Sequence, residues 1–99
     1  MTEVEIVEVG IDAQERLYVT PSTFSFDHIC RAAMEVNWDK DKKRLFSAKP
    51  RDWTYHKWFD QIVAAVADEY GVHLIVTPKT SWSNVPAQLK SDILAALGN

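Results

Sequence analysis

The chain has 99 residues, a mass of 11.3 kDa and a formal net charge of −3, and its 46% hydrophobic and 25% charged residues are the balance of a globular protein. Its single cysteine, Cys30, excludes an internal disulfide and a zinc site built from several thiolates. No apolar run approaches the roughly 18 residues that span a bilayer, and the first residues are acidic where a signal peptide is basic and then apolar, so we expect one compact cytoplasmic domain over residues 1–99, with no membrane partner.

The N-terminal part of the chain is typical of a β-hairpin. Residues 3–11 are rich in Val and Ile, and residues 16–20 combine β-branched and aromatic side chains, which predicts two strands joined by a loop of four or five residues. A five-residue loop would give the pairs Val9 with Leu17 and Val7 with Val19. In either register, regular alternation leaves apolar residues on both faces of the first strand.

The sheet is therefore expected to have a second apolar face, opposite the one that the helices cover. In the first register its characteristic residues are Val4, Ile6, Tyr18, His73 and Ile75. Large exposed apolar patches are uncommon on monomers, and two such faces would be self-complementary, so we predict that these residues form the interface of a homodimer. A solvated face with scattered apolar residues is the alternative.

A helix of about three turns is predicted from residue 26 to residue 37. Its apolar residues recur at helical spacing: Phe26, Ile29, Cys30, Ala33 and Val36. Because Cys30 lies on this stripe and His28 does not, we expect Cys30 to be a buried small hydrophobe and not a nucleophile.

The clearest helical pattern follows a charged turn at residues 38–43 and a short strand candidate at residues 44–48. Its stripe consists of Tyr55, Trp58, Phe59, Ile62, Val63, Val66 and Tyr70. Asp52 or Thr54 is available as the N-cap and Gly71 as the C-cap. A strand at residues 72–77 and a last helix after Asn84, reaching Leu97, complete the pattern.

The order of these elements predicts an α+β fold with an antiparallel or mixed sheet of three or four strands and about three helices, mainly on one face. If the strand candidate at residues 44–48 is parallel to the strand at 72–77, the helix between them becomes a crossover connection.

The middle of the chain is basic and aromatic. Residues 40–57 hold seven Lys and Arg against two Asp, together with Phe46, Trp53 and Tyr55, whereas residues 1–15 hold five acids and no base. Cations mixed with aromatic rings can bind a phosphate chain and stack on bases, so nucleic-acid binding is one hypothesis. A solvated charged face is the other interpretation of this pattern.

A small-molecule site is the third hypothesis. If Trp53, Tyr55 and Trp82 converge, they would line a shallow groove with Arg51 at its rim, and these four are the predicted binding residues. His56 lies four residues before Asp60, a spacing that suits a base or half of a metal site but also an exposed side-chain pair. No third ligand accompanies them, so we predict no metal, no cofactor and no catalytic residue.

Four strings carry a resemblance to a known group: RLYVTP at residues 16–21, RAAMEVNWD at 31–39, PRDW at 50–53 and WSNVP at 82–86. Together they resemble small proteins encoded on integron gene cassettes and similar mobile bacterial elements. The resemblance implies a bacterial, mobile-genome origin and a compact α+β fold, and it supplies no catalytic residue. We therefore predict a non-catalytic interaction module that self-associates or binds a macromolecular partner. The alternatives are nucleic-acid binding through residues 40–57, or a small-molecule binding or enzymatic pocket near Arg51, Trp53, His56 and Trp82.

Overall fold

The structure is a computed structural model that describes residues 2–31, 35–48 and 53–96. Within these ranges the elements are β1 (Thr2–Ile11), β2 (Leu17–Pro21), β3 (Val36–Asp39), β4 (Arg44–Ser47), α1 (Tyr55–Tyr70), β5 (Val72–Ile75), β6 (Ser81–Ser83) and α2 (Ala87–Ala96). The α+β prediction is confirmed, but the counts were inexact. The described chain forms six strands where three or four were expected, and two α-helices where about three were expected.

The six strands form one mixed sheet. Its order is β3-β4-β2-β1-β5, and β6 also pairs with β1. β2 is antiparallel to both β1 and β4, while β5 and β6 are parallel to β1. It follows that β4 and β5 run in the same direction, so α1 is the crossover that the sequence predicted.

A β-bulge at Val7 divides β1 into two halves. Ile6 pairs with Pro21 but Glu8 pairs with Thr20, so one extra residue stands between the two pairs. The alternation of side chains changes phase there, and Ile6 before the bulge and Val9 after it are both fully buried. Val7 itself is 46% exposed. The bulge therefore brings both sets of apolar residues of β1 to the same core.

The hairpin loop comprises residues 12–16, which is one of the two predicted lengths. The predicted pairing was wrong, because Val9 pairs with Val19 and Ile11 pairs with Leu17. The side chain of Asp12 explains this register: its carboxylate accepts hydrogen bonds from the backbone N–H groups of Gln14 and Arg16, each at 2.9 Å. These bonds close the loop directly beyond Ile11 and Leu17.

The main helix has the ends that the sequence predicted. The Thr54 side chain accepts a hydrogen bond from the Lys57 N–H at 3.1 Å. At the other end, Gly71 adopts a left-handed φ of 65° and donates its N–H to the Ala67 carbonyl. The buried side of α1 packs on the sheet through Trp58, Phe59, Ile62, Ala65 and Val66, and α2 adds Leu89 and Ile93 to the same core.

The helix predicted over residues 26–37 was wrong. The described part of this segment holds one 3-10 turn, Ile29–Arg31, and then β3, while residues 32–34, including Ala33, lie outside the described residues. Phe26 and Val36 are both fully buried, but they reach the core from separate elements. β3 pairs with β4 across the turn at residues 40–43, and this hairpin supplies backbone hydrogen bonds that the helical spacing of the apolar residues did not indicate. Cys30, expected to be buried, is exposed.

The predicted turn at residues 38–43 is shorter than expected, because its first residues belong to β3. The Asp39 carboxylate accepts hydrogen bonds from the N–H groups of Asp41 and Lys42, each at 3.0 Å. The bond from the Lys42 N–H is the main cause that lowers the pKa of Asp39 below its ordinary value. The strand candidate at residues 44–48 is confirmed as β4.

Candidate ligand-binding site

The connection between β5 and β6 builds one side of an open cavity. Both strands lie along the same edge of β1, and residues 76–80 leave that edge between them. The buried Thr80 hydroxyl donates to the Ile6 carbonyl at 2.7 Å and accepts from the Thr77 N–H at 3.0 Å. A backbone bond from the Thr80 N–H to the Thr77 carbonyl closes the turn. The conformation of this connection is therefore set by hydrogen bonds to β1 and within the turn.

Thr77 ties the same turn to the outer side of β1. Its hydroxyl donates to the Glu5 carboxylate at 2.5 Å and accepts from the Lys79 N–H at 3.1 Å. The hydroxyl protons of Thr77 and Thr80 are thus both committed to acceptors on β1.

The cavity has a volume of about 440 Å³ and opens between this turn and α2. Its lining residues are Val76, Thr77, Pro78, Thr80, Trp82, Lys90 and Leu94. Trp82 is held by β6, whose backbone pairs Trp82 with Val9. Lys90 and Leu94 are four residues apart on α2, so they lie on one side of that helix. The volume falls in the range of small-molecule sites.

The side-chain hydrogen-bond donors that remain free in this cavity belong to Lys90 and Trp82, while the hydroxyl oxygens of Thr77 and Thr80 each keep one lone pair that can accept. The Lys90 ammonium lies 5.3 Å from the centroid of the Trp82 ring, within the range of a cation–π contact. Across the described residues, Lys90 makes no ion pair and the Trp82 indole N–H has no hydrogen-bond partner. The described lining contains no carboxylate, imidazole or thiol. An ammonium group, an indole ring and apolar side chains are groups that bind small molecules.

A second polar cluster lies on the outer face of the sheet, opposite the helices. The Tyr18 hydroxyl donates to the Glu8 carboxylate at 3.0 Å, and the Ser83 hydroxyl donates to the same oxygen. The Arg44 guanidinium lies 3.7 Å from the centroid of the Tyr18 ring. Tyr18 is consequently only 6% exposed, and burial raises the pKa of its hydroxyl above its ordinary value.

The neighbouring aromatic ring on this face is covered in the same way. The Arg16 guanidinium lies 4.5 Å from the centroid of the Phe46 ring, and its Nε donates to the Asp12 carboxylate at 2.8 Å. Arginine side chains therefore cover both rings of the outer face, which reduces the apolar area that Tyr18 and Phe46 present.

The four predicted binding residues lie in different places. Trp82 lines the cavity, whereas Trp53 packs against Trp58 with ring centroids 4.7 Å apart. The Tyr55 hydroxyl donates to the Glu15 carbonyl at 2.9 Å, so this ring is fixed at the hairpin loop. The described lining of the cavity includes neither Trp53 nor Tyr55, and Arg51 lies outside the described residues.

The predicted pair on α1 is present and both side chains are partly exposed, but the His56 Nε2 atom itself is buried and makes no hydrogen bond. His56 Nε2 lies 3.6 Å from Asp60 Oδ2, and their side chains are 34% and 54% exposed. Within residues 2–31, 35–48 and 53–96, no group of three His, Cys, Asp or Glu side chains could hold a metal ion. In the same ranges, no helix is long and apolar enough to cross a membrane.

The predicted interface residues divide between the core and the outer face. Val4 and Ile6 are 3% and 0% exposed and belong to the core. Their predicted outward placement assumed regular alternation along β1, and the bulge breaks that alternation. Tyr18 lies on the outer face under Arg44, as described. His73 is exposed and Ile75 is partly exposed.

Sequence reasoning missed Lys90, Leu94 and Val76 as lining residues. Lys90 and Leu94 have the four-residue spacing of one helix side, and this was the available signal. It indicates a common side of α2 but not the element that this side faces. The position of α2 beside residues 76–82 depends on contacts between distant parts of the chain.

Comparisons with known proteins place the chain among the products of mobile gene cassettes. A family model described as Integron Cassette Protein Hfx_Cass5 matches residues 4–80. A solved structure of Integron Cassette Protein Hfx_Cass5, from the mobile metagenome of the North West Arm Sewage Outfall, is similar at 39% sequence identity and a TM-score of 0.50. That similarity covers 100% of this chain and 99% of the other. The comparison with curated proteins gives no match.

Proposed function

The chain belongs to the Hfx_Cass5 family of integron cassette proteins, as the resemblance predicted, and from that premise we propose that it is a non-catalytic binding protein for a small molecule. The observation that carries the proposal is the cavity between the β5–β6 connection and α2. It combines a suitable volume with an indole ring, apolar side chains and a cation, which is the composition of ligand sites.

The construction of the cavity supports the proposal. Trp82 is held by strand pairing, and the opposite side is held by the buried hydroxyl of Thr80. A site whose residues are already in place loses little conformational entropy when a ligand binds. The proposal also agrees with the lining, in which the described side chains supply contacts and donors and no carboxylate or imidazole.

Heteronuclear NMR with a mixture of small fragments tests this function. We expect the amide signals of residues 76, 77, 79–82 and 90 to shift on binding, together with the Trp82 indole signal. Leu94→Trp should fill the cavity and abolish these shifts. Ser91→Trp, at an exposed position of the same helix, is the matched control and should preserve them. Fragment shifts confined to other parts of the protein would contradict the proposal.

Self-association through the outer face is a second candidate, favoured by the distribution of charge. Glu3 and Glu8 lie on β1, whereas Arg44 on β4 and Arg16 beside β2 lie toward the other side of the sheet. A second copy related by a two-fold axis could place bases opposite acids, and Ile75 would lie within such an interface.

Light scattering after size-exclusion chromatography tests this candidate at high micromolar concentration. We expect a dimer mass at low salt and partial dissociation at high salt. Arg44→Glu should give a monomer, while Lys57→Glu, on an exposed position of α1, should leave the dimer intact. A monomer mass for the unmodified protein under all these conditions would exclude the interface.

Nucleic-acid binding through residues 40–57 stays a prediction, and its aromatic part has lost support. Phe46 is covered by Arg16, Trp53 packs on Trp58, and Tyr55 is bonded to the hairpin loop. The contribution that remains is charge around the exposed β3–β4 turn, which would give salt-sensitive binding. Fluorescence anisotropy with oligonucleotides at low salt tests it, and no change in anisotropy would remove it.

A further inference from the structure

We infer that the ligand of the cavity is an amphipathic monoanion, an apolar body that carries one carboxylate. The inference rests on the proposed function and specifies the chemical class that this site would select. It follows from three observations on the lining: the direction of its hydrogen bonds, its unneutralised charge and its apolar surface.

The first observation is that the hydroxyls in the lining have no proton left to donate inward. Thr77 donates to Glu5, and Thr80 donates to the Ile6 carbonyl. Each hydroxyl also accepts a backbone N–H, from Lys79 and Thr77 respectively. The side-chain donors left for a ligand are the Lys90 ammonium and the Trp82 indole N–H, and neither group can accept a hydrogen bond. A ligand that uses both must itself be an acceptor.

The second observation is the charge of Lys90. Lys90 makes no ion pair within the described ranges, although the chain as a whole carries an excess of acids. Asp92 and Glu5 keep their negative charge, since they accept hydrogen bonds only from the neutral Gln88 amide and Thr77 hydroxyl, but no described carboxylate lies within 4 Å of the Lys90 ammonium. The cation beside the cavity is therefore available to a ligand, and a carboxylate would receive a charge-assisted hydrogen bond from it.

The third observation is that the remaining lining is apolar. Val76, Pro78 and Leu94 together with the Trp82 ring supply its apolar surface. A strongly hydrated polyanion would lose bound water here, and these apolar side chains would give it no hydrogen bonds in exchange. A single carboxylate at Lys90, with an apolar body against the indole and Leu94, satisfies both parts of the site.

Three probes of equal size isolate the head group: phenylbutanoate, phenylbutanol and phenylbutylamine, titrated at neutral pH with the Trp82 indole NMR signal as the readout. We expect the anion to bind about tenfold more tightly than the alcohol, because a charge-assisted hydrogen bond to Lys90 is stronger than one made to a neutral hydroxyl, and the amine to bind most weakly. High salt should reduce the advantage of the anion.

Lys90→Gln should remove the preference for the anion and leave the affinity for the alcohol unchanged. Lys79→Gln is the matched control, because Lys79 is an exposed lysine of the adjoining turn that does not line the cavity, and it should preserve the preference. Equal binding of anion and alcohol, a preference for the amine, or a preference that survives Lys90→Gln would overturn the inference while the proposed function stands. No binding of any probe at the cavity would overturn both.

Discussion

Gly10 lies directly beneath the ring of Tyr18 on the outer face of the sheet. A Cβ added at Gly10 would lie 2.3 Å from Cζ and Oη of Tyr18 and 2.5 Å from its Cε2. These distances are far below van der Waals contact. Gly10 is not among the residues with positive φ, so its backbone can accept alanine. Gly10→Ala should therefore act by lifting the Tyr18 ring off the sheet.

The cost follows from the contacts that the displaced ring would lose. The hydrogen bond from Tyr18 to the Glu8 carboxylate is worth about 1.5–3 kcal/mol, and the cation–π contact with Arg44 about 0.5–1 kcal/mol. Replacing glycine by alanine within a strand by itself stabilises the folded protein by roughly 0.5–1 kcal/mol, which offsets part of this loss. We expect Gly10→Ala to lower the free energy of unfolding by about 1–3 kcal/mol.

Urea unfolding followed by tryptophan fluorescence measures this cost in a double-mutant cycle. In a Tyr18→Ala background the steric conflict is absent, so adding Gly10→Ala should be neutral or stabilise the protein by about 0.5 kcal/mol. The two positions should thus show a coupling energy close to the cost of Gly10→Ala alone. If Gly10→Ala costs as much without the Tyr18 ring as with it, the reasoning is wrong.

Three further predictions concern stability. Ile6→Ala should cost about 2–5 kcal/mol in urea unfolding whereas the adjacent Val7→Ala should stay within about 0.5 kcal/mol, and similar costs would contradict the bulge. Burial raises the pKa of Asp12, but bonds from Arg16 outweigh it and hold the pKa below its ordinary value of 3.8. The stabilisation from Asp12 is therefore present above the unfolded-state pKa and is lost as pH falls through the lower folded-state pKa. Asp12→Asn should flatten this acid loss in unfolding experiments across a pH series, and an unchanged pH profile would contradict the assignment. Thr80→Val removes a buried hydroxyl with two partners and should cost about 1–3 kcal/mol in thermal or urea unfolding, while a neutral effect would show that the turn does not depend on it.

The parts of the fold that sequence analysis predicted correctly are those with local signals. The stripe of α1 stands between Thr54 and Gly71, and both caps act through groups within four residues of the helix end. The parts that it missed are short strands that depend on pairing with another strand. β3 exists because it pairs with β4, and β6, of only three residues, exists because it follows the edge of β1. No periodicity is measurable over so few residues.

The bulge explains the largest error at the candidate interface. A fixed two-residue period assigns Val4 and Ile6 to the face opposite Val9, and the second apolar face was inferred from that assignment. One extra residue at Val7 returns all three side chains to a single core. The position of a bulge depends on how the partner strand is paired, and here that pairing is determined by the hydrogen bonds of Asp12 in the hairpin loop.

Only part of the candidate site could be predicted from the sequence. Trp82 was identified as a binding residue because a loop tryptophan adds a large contact area, and it lines the cavity. Trp53 and Tyr55 had the same chemical signal, but α1 carries them to contacts with Trp58 and the hairpin loop. Residue type alone does not show which aromatic side chain lines a cavity and which packs elsewhere, because this depends on which elements become neighbours in the fold.

Residues 76–80 connect β5 and β6, which pair with the same edge of β1, and their position bears on how related proteins can vary. Thr77 and Thr80 are bonded to β1, so changes that leave the strand pairing in place are those at the exposed tip, Pro78 and Lys79, and they would alter the surface beside Trp82. We expect relatives within the family to differ most at this exposed tip, while the hydrogen bonds that join the rest of the stretch to β1 are kept.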